Sequence, residues 1–360
     1  MHKHFPTFTL LLCAYSLLAF AQDAPSSPPQ VSLRSSLAVI DDATVYGGQL
    51  VPSPQAQNQA LIEPSFMLRY RQRWSLASSL VETISTYGDT HAQLHVRESY
   101  LGLSAGDFDF TLGRRLVRWG TGYAFTPAGV LDPPRTPTNP TDRLSINQGR
   151  DMLKVDFMRG PHALQVAWSS AALAPKGSNA HDTTTLRYNV LMRGFDTSFI
   201  AGNDQGGDAF GALTFTRVLG QAWEVHGEGA WREQGAVLLG GKYTLASGVS
   251  FIGEFYAPPN TAFYRSSSIA STAGRQHYAF FSVGKSRLRE LPEWKYWDLT
   301  GYAVANLNDH SATAIGEVTR RFGNHFSGYV HLEVPAGDKH SEYGATPYKT
   351  ASSMGIRFHL

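Results

Sequence analysis

Along most of the chain, polar and apolar side chains alternate with a period of two. In residues 223–232, apolar or small residues take odd positions, from Trp223 and Val225 to Trp231, while Glu224, His226, Glu228 and Arg232 take even ones. Successive side chains of a β-strand point to opposite faces, so this period predicts strands with one apolar and one polar face. It recurs in residues 249–256, in 326–334 with Tyr329, His331 and Glu333 on the polar face, and in 65–74, where Arg69, Arg71 and Arg73 share one face. A soluble β-sandwich also alternates. Here, however, the apolar faces stay aromatic across many strands, and the opposite faces carry too much charge for a packed core.

The connections alternate as well. Tight turns are predicted at 104–107, 159–162, 193–196, 218–221, 246–249 and 321–325, and longer polar loops at 41–59, 121–147, 169–182, 202–208, 257–275 and 335–348. Short periplasmic turns and longer extracellular loops are the habit of bacterial outer-membrane barrels. The pattern predicts an all-β fold, a closed antiparallel transmembrane β-barrel of about eighteen strands, with sixteen as the alternative. It starts near Val31 and ends in 351–360, both termini on the periplasmic side. Alternation slips around Glu98, which predicts a bulge or a displaced turn there. The turn at 288–297 is long for that side.

The N-terminus adds an address. Lys3 precedes an apolar run from Phe8 to Phe20, followed by Ala19-Phe20-Ala21 and Gln22, the form of a signal peptide cleaved near Ala21. The chain thus divides into a signal peptide, 1–21, and a barrel, 22–360, with no linker between two compositions. Cys13, the only cysteine, lies inside the signal, and Leu12 stands where a lipoprotein signal needs a small residue, so residues 22–360 hold neither disulfide nor thiolate metal site. A net charge of +2 gives no hint of nucleic acid. No run of 18 apolar residues follows the signal, which excludes a helical membrane protein. At the far end Ile356, Phe358 and Leu360 alternate with Gly355, Arg357 and His359. This resembles the last strand of outer-membrane proteins, which the barrel-assembly machinery reads, except that those usually finish in Phe or Trp.

One segment stands apart. Gly113-Arg114-Arg115-Leu116-Val117-Arg118-Trp119-Gly120 leads through Tyr123, Pro127, Pro133, Pro134, Pro137 and Pro140 to Arg143. Its prolines restrict the path of the longest predicted loop, 121–148, between the fifth and sixth strands and hence third on the outer side. Here the chain resembles the porins, whose third loop folds into the barrel and narrows the channel, and the Gly-Arg-Arg, Trp-Gly and proline series is similar to outer-membrane channel families of unknown substrate. The resemblance implies that Asp132, Asp142, Arg143 and Arg150 approach wall arginines Arg69, Arg71, Arg73 and Arg115. Such facing charges would select solutes by charge and size. Glu224, Glu228 and Glu254, with Glu317 and Glu333, fall at other lumen positions.

Chemical motifs do not survive their context. Gly102-Leu103-Ser104-Ala105-Gly106 fits a nucleophile elbow, but that needs a helix after the turn, and residues 108–112 alternate as a strand. Gly284-Lys285-Ser286 lacks the first glycine of a phosphate loop, because Ala279 stands there. The 13 histidines show no zinc spacing, and His226 and His331 share polar faces with glutamates as hydrogen-bonded wall residues. The expected function is a porin-like, non-enzymatic channel for small hydrophilic solutes, without cofactor, in the outer membrane of a Gram-negative cell. Its expected partners are outer-membrane lipid and lipopolysaccharide, the barrel-assembly machinery, a small polar solute and a second copy of the chain. The alternatives are an outer-membrane enzyme acting on lipid or peptide, and an export conduit for polysaccharide or apolar solutes.

Overall fold

The computed structural model describes residues 29–45, 57–71, 73–85, 91–133, 135–140, 147–169, 182–203, 208–232, 235–258, 277–286, 296–346 and 348–359. The predicted signal peptide, its cleavage site and Leu360 lie outside them, as do Asp142 and Arg143 and most of the long loops at 46–56, 170–181 and 259–276.

Eighteen strands form one antiparallel sheet. They are β1 Gln30–Val45, β2 Gln57–Tyr70, β3 Trp74–Ser85, β4 His91–Ala105, β5 Phe108–Arg115 and β6 Arg150–Arg159. Then come β7 His162–Ser169, β8 Thr183–Met192, β9 Phe195–Asn203, β10 Ala209–Leu219, β11 Trp223–Trp231 and β12 Gly235–Thr244. The last six are β13 Ser250–Ala257, β14 Tyr278–Ser286, β15 Trp297–Asn306, β16 Ser311–Phe322, β17 Phe326–Ala336 and β18 Thr350–His359. Each strand pairs with its neighbours in chain order, and β1 pairs with β2 along one edge and β18 along the other, bringing Leu37 opposite Phe358. No helix of the described residues is long and apolar enough to cross a membrane, a statement that does not bear on strands.

The six predicted tight turns all fall between consecutive strands. At β8–β9, Arg193 and Gly194 both take positive φ, 52° and 80°, the backbone of a two-residue hairpin whose twist matches its strands. The β15–β16 turn at 307–310 was not foreseen, and neither was the one between β2 and β3. The stretch 65–74 is not a single strand: β2 stops at Tyr70, Arg71 takes φ 52°, and β3 starts at Trp74. The three arginines therefore occupy a strand end and a turn rather than one strand face. Around Glu98 the expected irregularity is a bulge, with Ser79 opposite Glu98 and Leu80 opposite Val96, so that Arg97 is the extra residue.

The two faces of the sheet invert the pattern of a soluble protein. Trp223, Trp231, Phe199 and Phe281 are more than half exposed on one face. The other buries Lys154, Asp156, Thr185, Thr214, His226, Glu228 and Glu254.

Candidate functional site

The segment between β5 and β6 packs on the polar face, opposite the exposed aromatic one. Its ends are held by the irregular stretch of β4: the Leu116 N–H donates to Glu98 Oε1 at 2.9 Å, and the Gly149 N–H donates to the Arg97 carbonyl, also at 2.9 Å. The bulge thus leaves a carbonyl available to the returning chain.

From there the loop crosses to β11–β16. It makes no strand pairing on the way, so its buried N–H groups need other acceptors. Three carboxylates supply them for six consecutive residues. Asp132, within the loop, accepts from Trp119 and Gly120 at 2.7 and 3.1 Å. Glu228 of β11 accepts from Thr121 and from Gly122, the latter at 2.8 Å. Glu254 of β13 accepts from Tyr123 and from Ala124, the latter at 2.8 Å. Glu228 also takes the Ala128 N–H at 2.8 Å, and Glu224 accepts from the Tyr123 hydroxyl at 3.0 Å. Every backbone N–H from Trp119 to Ala124 thereby has an acceptor.

Local sequence permits this approach. A β-carbon on Gly120 would lie 3.0 Å from Glu228 Oε1 and 2.6 Å from Thr126 Cβ. One on Gly122 would overlap the Phe125 carbonyl oxygen. Beyond the glycines, Trp119, Phe125, Val130 and Leu131 bury against wall residues that include Leu238, Tyr256, Phe280 and Val304, with the Phe125 and Tyr256 rings stacked at 4.7 Å. The Tyr302 hydroxyl donates to the Thr138 carbonyl at 3.0 Å, and Arg135 donates to the Tyr123 carbonyl at 2.8 Å. Burial pushes the Asp132 carboxyl above the usual range, against the pull of the Trp119 and Gly120 N–H groups. Burial likewise pushes the Arg135 guanidinium down, with nearby Asp132 opposing it.

A second loop, between β17 and β18, is fixed near the same wall. Glu342 accepts from the Tyr278 hydroxyl at 2.9 Å and from Asn306 Nδ2 at 2.7 Å, while its own N–H donates to Asp309 at 2.7 Å.

Toward the short-turn end lies a cavity of about 640 Å³ lined by Arg69, Arg71, Arg73 and Arg115. Lys154 joins these cations, and Asp109, Asp156, Gln165 and Ser104 complete its polar wall. Arg115 donates to Thr111 Oγ1 at 2.9 Å, with its guanidinium 4.9 Å from the centre of the Tyr100 ring. Lys154 pairs with Asp156, which also accepts from Gln165 at 2.7 Å. Next along the wall, Arg187 donates to Gln165 and Ser198 and sits 6.0 Å over the Trp119 ring of the loop.

The residues singled out from sequence thus separate into two groups. Arg69, Arg71, Arg73 and Arg115 share the cavity, and Arg150 pairs with Arg115 across β5–β6. Asp132 does not line that cavity with them; it caps the backbone of its own loop. Glu224, Glu228 and Glu254 bind the loop to the wall opposite, a role that alternation alone did not suggest. Lys154, Asp156 and Arg187 were missed, although Lys154 and Asp156 alternate with apolar Leu153, Val155 and Phe157. Ser104 lies at the end of β4 and donates to Asp109, with a turn and then β5 following, so its glycine motif is a hairpin. Buried His226 lies 3.0 Å from Glu254 Oε1.

Sheet, loop and cavity define a large antiparallel barrel-type fold with a third loop laid along one wall. Solved structures of this shape are known: the outer-membrane porins OprD of Pseudomonas aeruginosa and OccAB4 of Acinetobacter baumannii share the fold. OprD superposes with a TM-score of 0.60 at 8% identity, covering 92% of this chain and 95% of that one. OccAB4 gives 0.61 at 6% identity, covering 93% and 98%. Wzi of Escherichia coli, described as a carbohydrate-binding β-barrel involved in group 1 capsule assembly, gives 0.58 at 10% identity over 99% and 89%. No family model and no curated protein sequence matches the chain.

Proposed function

We propose that the chain closes into an eighteen-stranded barrel in the outer membrane of a Gram-negative cell and passes small hydrophilic solutes, without chemistry of its own. The observation that carries this reading is the clamped loop. A long segment is held against one wall by the carboxylates of Glu224, Glu228 and Glu254, while the opposite wall presents Arg69, Arg73, Arg115 and Lys154 to a polar cavity. The aromatic outer face suits lipid, and a barrel of this strand number is wide enough to keep water inside.

The constriction in this reading is the gap between the loop and the basic wall. Its charge is mainly positive, because Arg69, Arg71, Arg73, Arg115 and Lys154 line the cavity against Asp109 and Asp156, while Glu224, Glu228 and Glu254 lie on the wall that holds the loop. Arg150 flanks it, and Asp142 and Arg143 are assigned to the same passage by their place in the loop. Small acidic solutes are therefore favoured over cations of equal size. Export proceeds by cleavage near Ala21, and the last strand serves as the signal for the assembly machinery.

Liposome swelling tests the function. Liposomes holding the folded chain should swell in isotonic small sugars, and faster in small carboxylates than in cations of similar size. Liposomes that stay shrunken with folded protein present would overturn the reading.

A further inference from the structure

The apolar face carries two arginines that the solute path does not use. Arg217 of β10 stands opposite Phe195 of β9, its guanidinium 4.5 Å from the ring centre. Arg320 of β16 stands opposite Trp297 of β15 and lies 5.1 Å from that ring and 4.9 Å from the ring of Phe322. Both lie near strand ends that lead into short turns. Between them on the same face, the Trp223 and Tyr243 rings lie 4.5 Å apart, tilted by 36°.

Neither guanidinium has an ion-pair partner among the described residues. The contrast with the next residue is informative: Arg321, on the polar face, pairs with Asp298 at 2.6 Å. Along the apolar face of β9–β17, the described positions nearest the short turns hold Arg217, Lys285 and Arg320 but no Asp or Glu. An aromatic ring fixes a guanidinium and attracts it, yet does not neutralise its charge. Such a cation at the edge of the hydrocarbon layer calls for an anion from outside the chain, and the planar fork of arginine matches two phosphate oxygens. Flanking Trp and Tyr rings mark the depth at which headgroups lie.

We propose that Arg217 and Arg320 bind the phosphate of anionic phospholipid headgroups in the leaflet at the short-turn end. The site rests on the membrane reading above and adds to it a preference among lipids. Because the outer leaflet offers phosphate on lipid A, the leaflet itself is part of the claim.

The test releases the folded full-length chain from bilayers of phosphatidylethanolamine and phosphatidylglycerol in equal parts and counts retained lipids by native mass spectrometry. Wild type should retain phosphatidylglycerol in excess, with roughly a fivefold preference per arginine. Arg217→Gln with Arg320→Gln should return the ratio to that of the bilayer, while Arg321→Gln leaves it in excess. Heat-modifiable migration in gels shows that each variant is folded. An equal ratio in wild type, or an unchanged excess in the double variant, overturns the site. Lipid A displacing phosphatidylglycerol from the two arginines overturns the choice of phospholipid. Gln221→Cys, in a short turn, should resist an impermeant maleimide on intact cells. Labelling there, with lipid preference intact, would overturn the leaflet and the proposed orientation but not the headgroup contact.

Discussion

Replacing Glu228 with alanine removes the acceptor that holds the middle of the loop. Three backbone N–H groups, of Thr121, Gly122 and Ala128, and the Thr121 hydroxyl donate to this one carboxylate. Each N–H left buried without a partner costs about 1–3 kcal/mol, so the docked loop loses roughly 3–9 kcal/mol relative to a loop free in water. Every 1.4 kcal/mol is tenfold in an equilibrium, so even the lower figure shifts the ratio of docked to released loop by more than about a hundredfold. The packing of Phe125 against Tyr256 and the contacts of Asp132 and Glu254 remain, which makes the outcome a loosened loop rather than an unfolded sheet. Two assays read it. In planar bilayers the Glu228→Ala channel should show larger and noisier single-channel steps than wild type. In detergent, trypsin should cut after Arg118 or Arg135 under conditions in which wild type is resistant. Glu228→Gln, which keeps one carbonyl oxygen as acceptor, should fall between. Wild-type steps and wild-type resistance in a folded Ala variant would refute the clamp.

Three further outcomes follow from other parts of the site. Gly122→Ala places a methyl group against the Phe125 carbonyl oxygen and should expose the loop to trypsin much as Glu228→Ala does, with the sheet still heat-modifiable. Replacing Arg69, Arg71 and Arg73 together with glutamine should move the reversal potential toward cations in planar-bilayer recordings, and unchanged potentials would sink their role in selectivity. Burial raises the Asp309 carboxyl, but the Glu342 N–H and the Ser311 hydroxyl and N–H outweigh it and hold the group below its ordinary value. A depressed carboxyl stabilises fully above its unfolded value of about 3.9 and loses that contribution as pH falls through the folded one. Pepsin should therefore begin to cut the 337–349 loop of wild type only below about pH 4, whereas Asp309→Asn should be cut to the same extent on both sides of that pH.

Much of the sheet was legible because a period of two needs no tertiary knowledge. Alternation in 223–232 assigned Glu228 and His226 to a polar face, and the glycines at 106, 160, 194 and 220 marked turns whose positive φ favours that residue. The β2–β3 turn escaped because it is made by arginines. Arg71 adopts a left-handed φ that its residue type does not announce, and the run 65–74 continues to alternate through it. The loop was recognisable by its prolines and by Trp119-Gly120, and its placement between β5 and β6 followed from counting strands. Its anchors were not recognisable. The pairing of Glu228 with Thr121 and of Glu254 with Tyr123 joins residues more than a hundred positions apart, and nothing in either local pattern separates a glutamate facing water from one facing a backbone N–H. The expectation of acids facing arginines across a gap came from the resemblance to porins, which carries nothing of the demand of an unpaired backbone.

Single-channel recording under a salt gradient tests the central claim most directly. The purified, folded chain in a planar bilayer separating concentrated from dilute potassium chloride should give discrete ohmic steps, with a reversal potential on the chloride-selective side. Folded protein that inserts but carries no current would contradict the account.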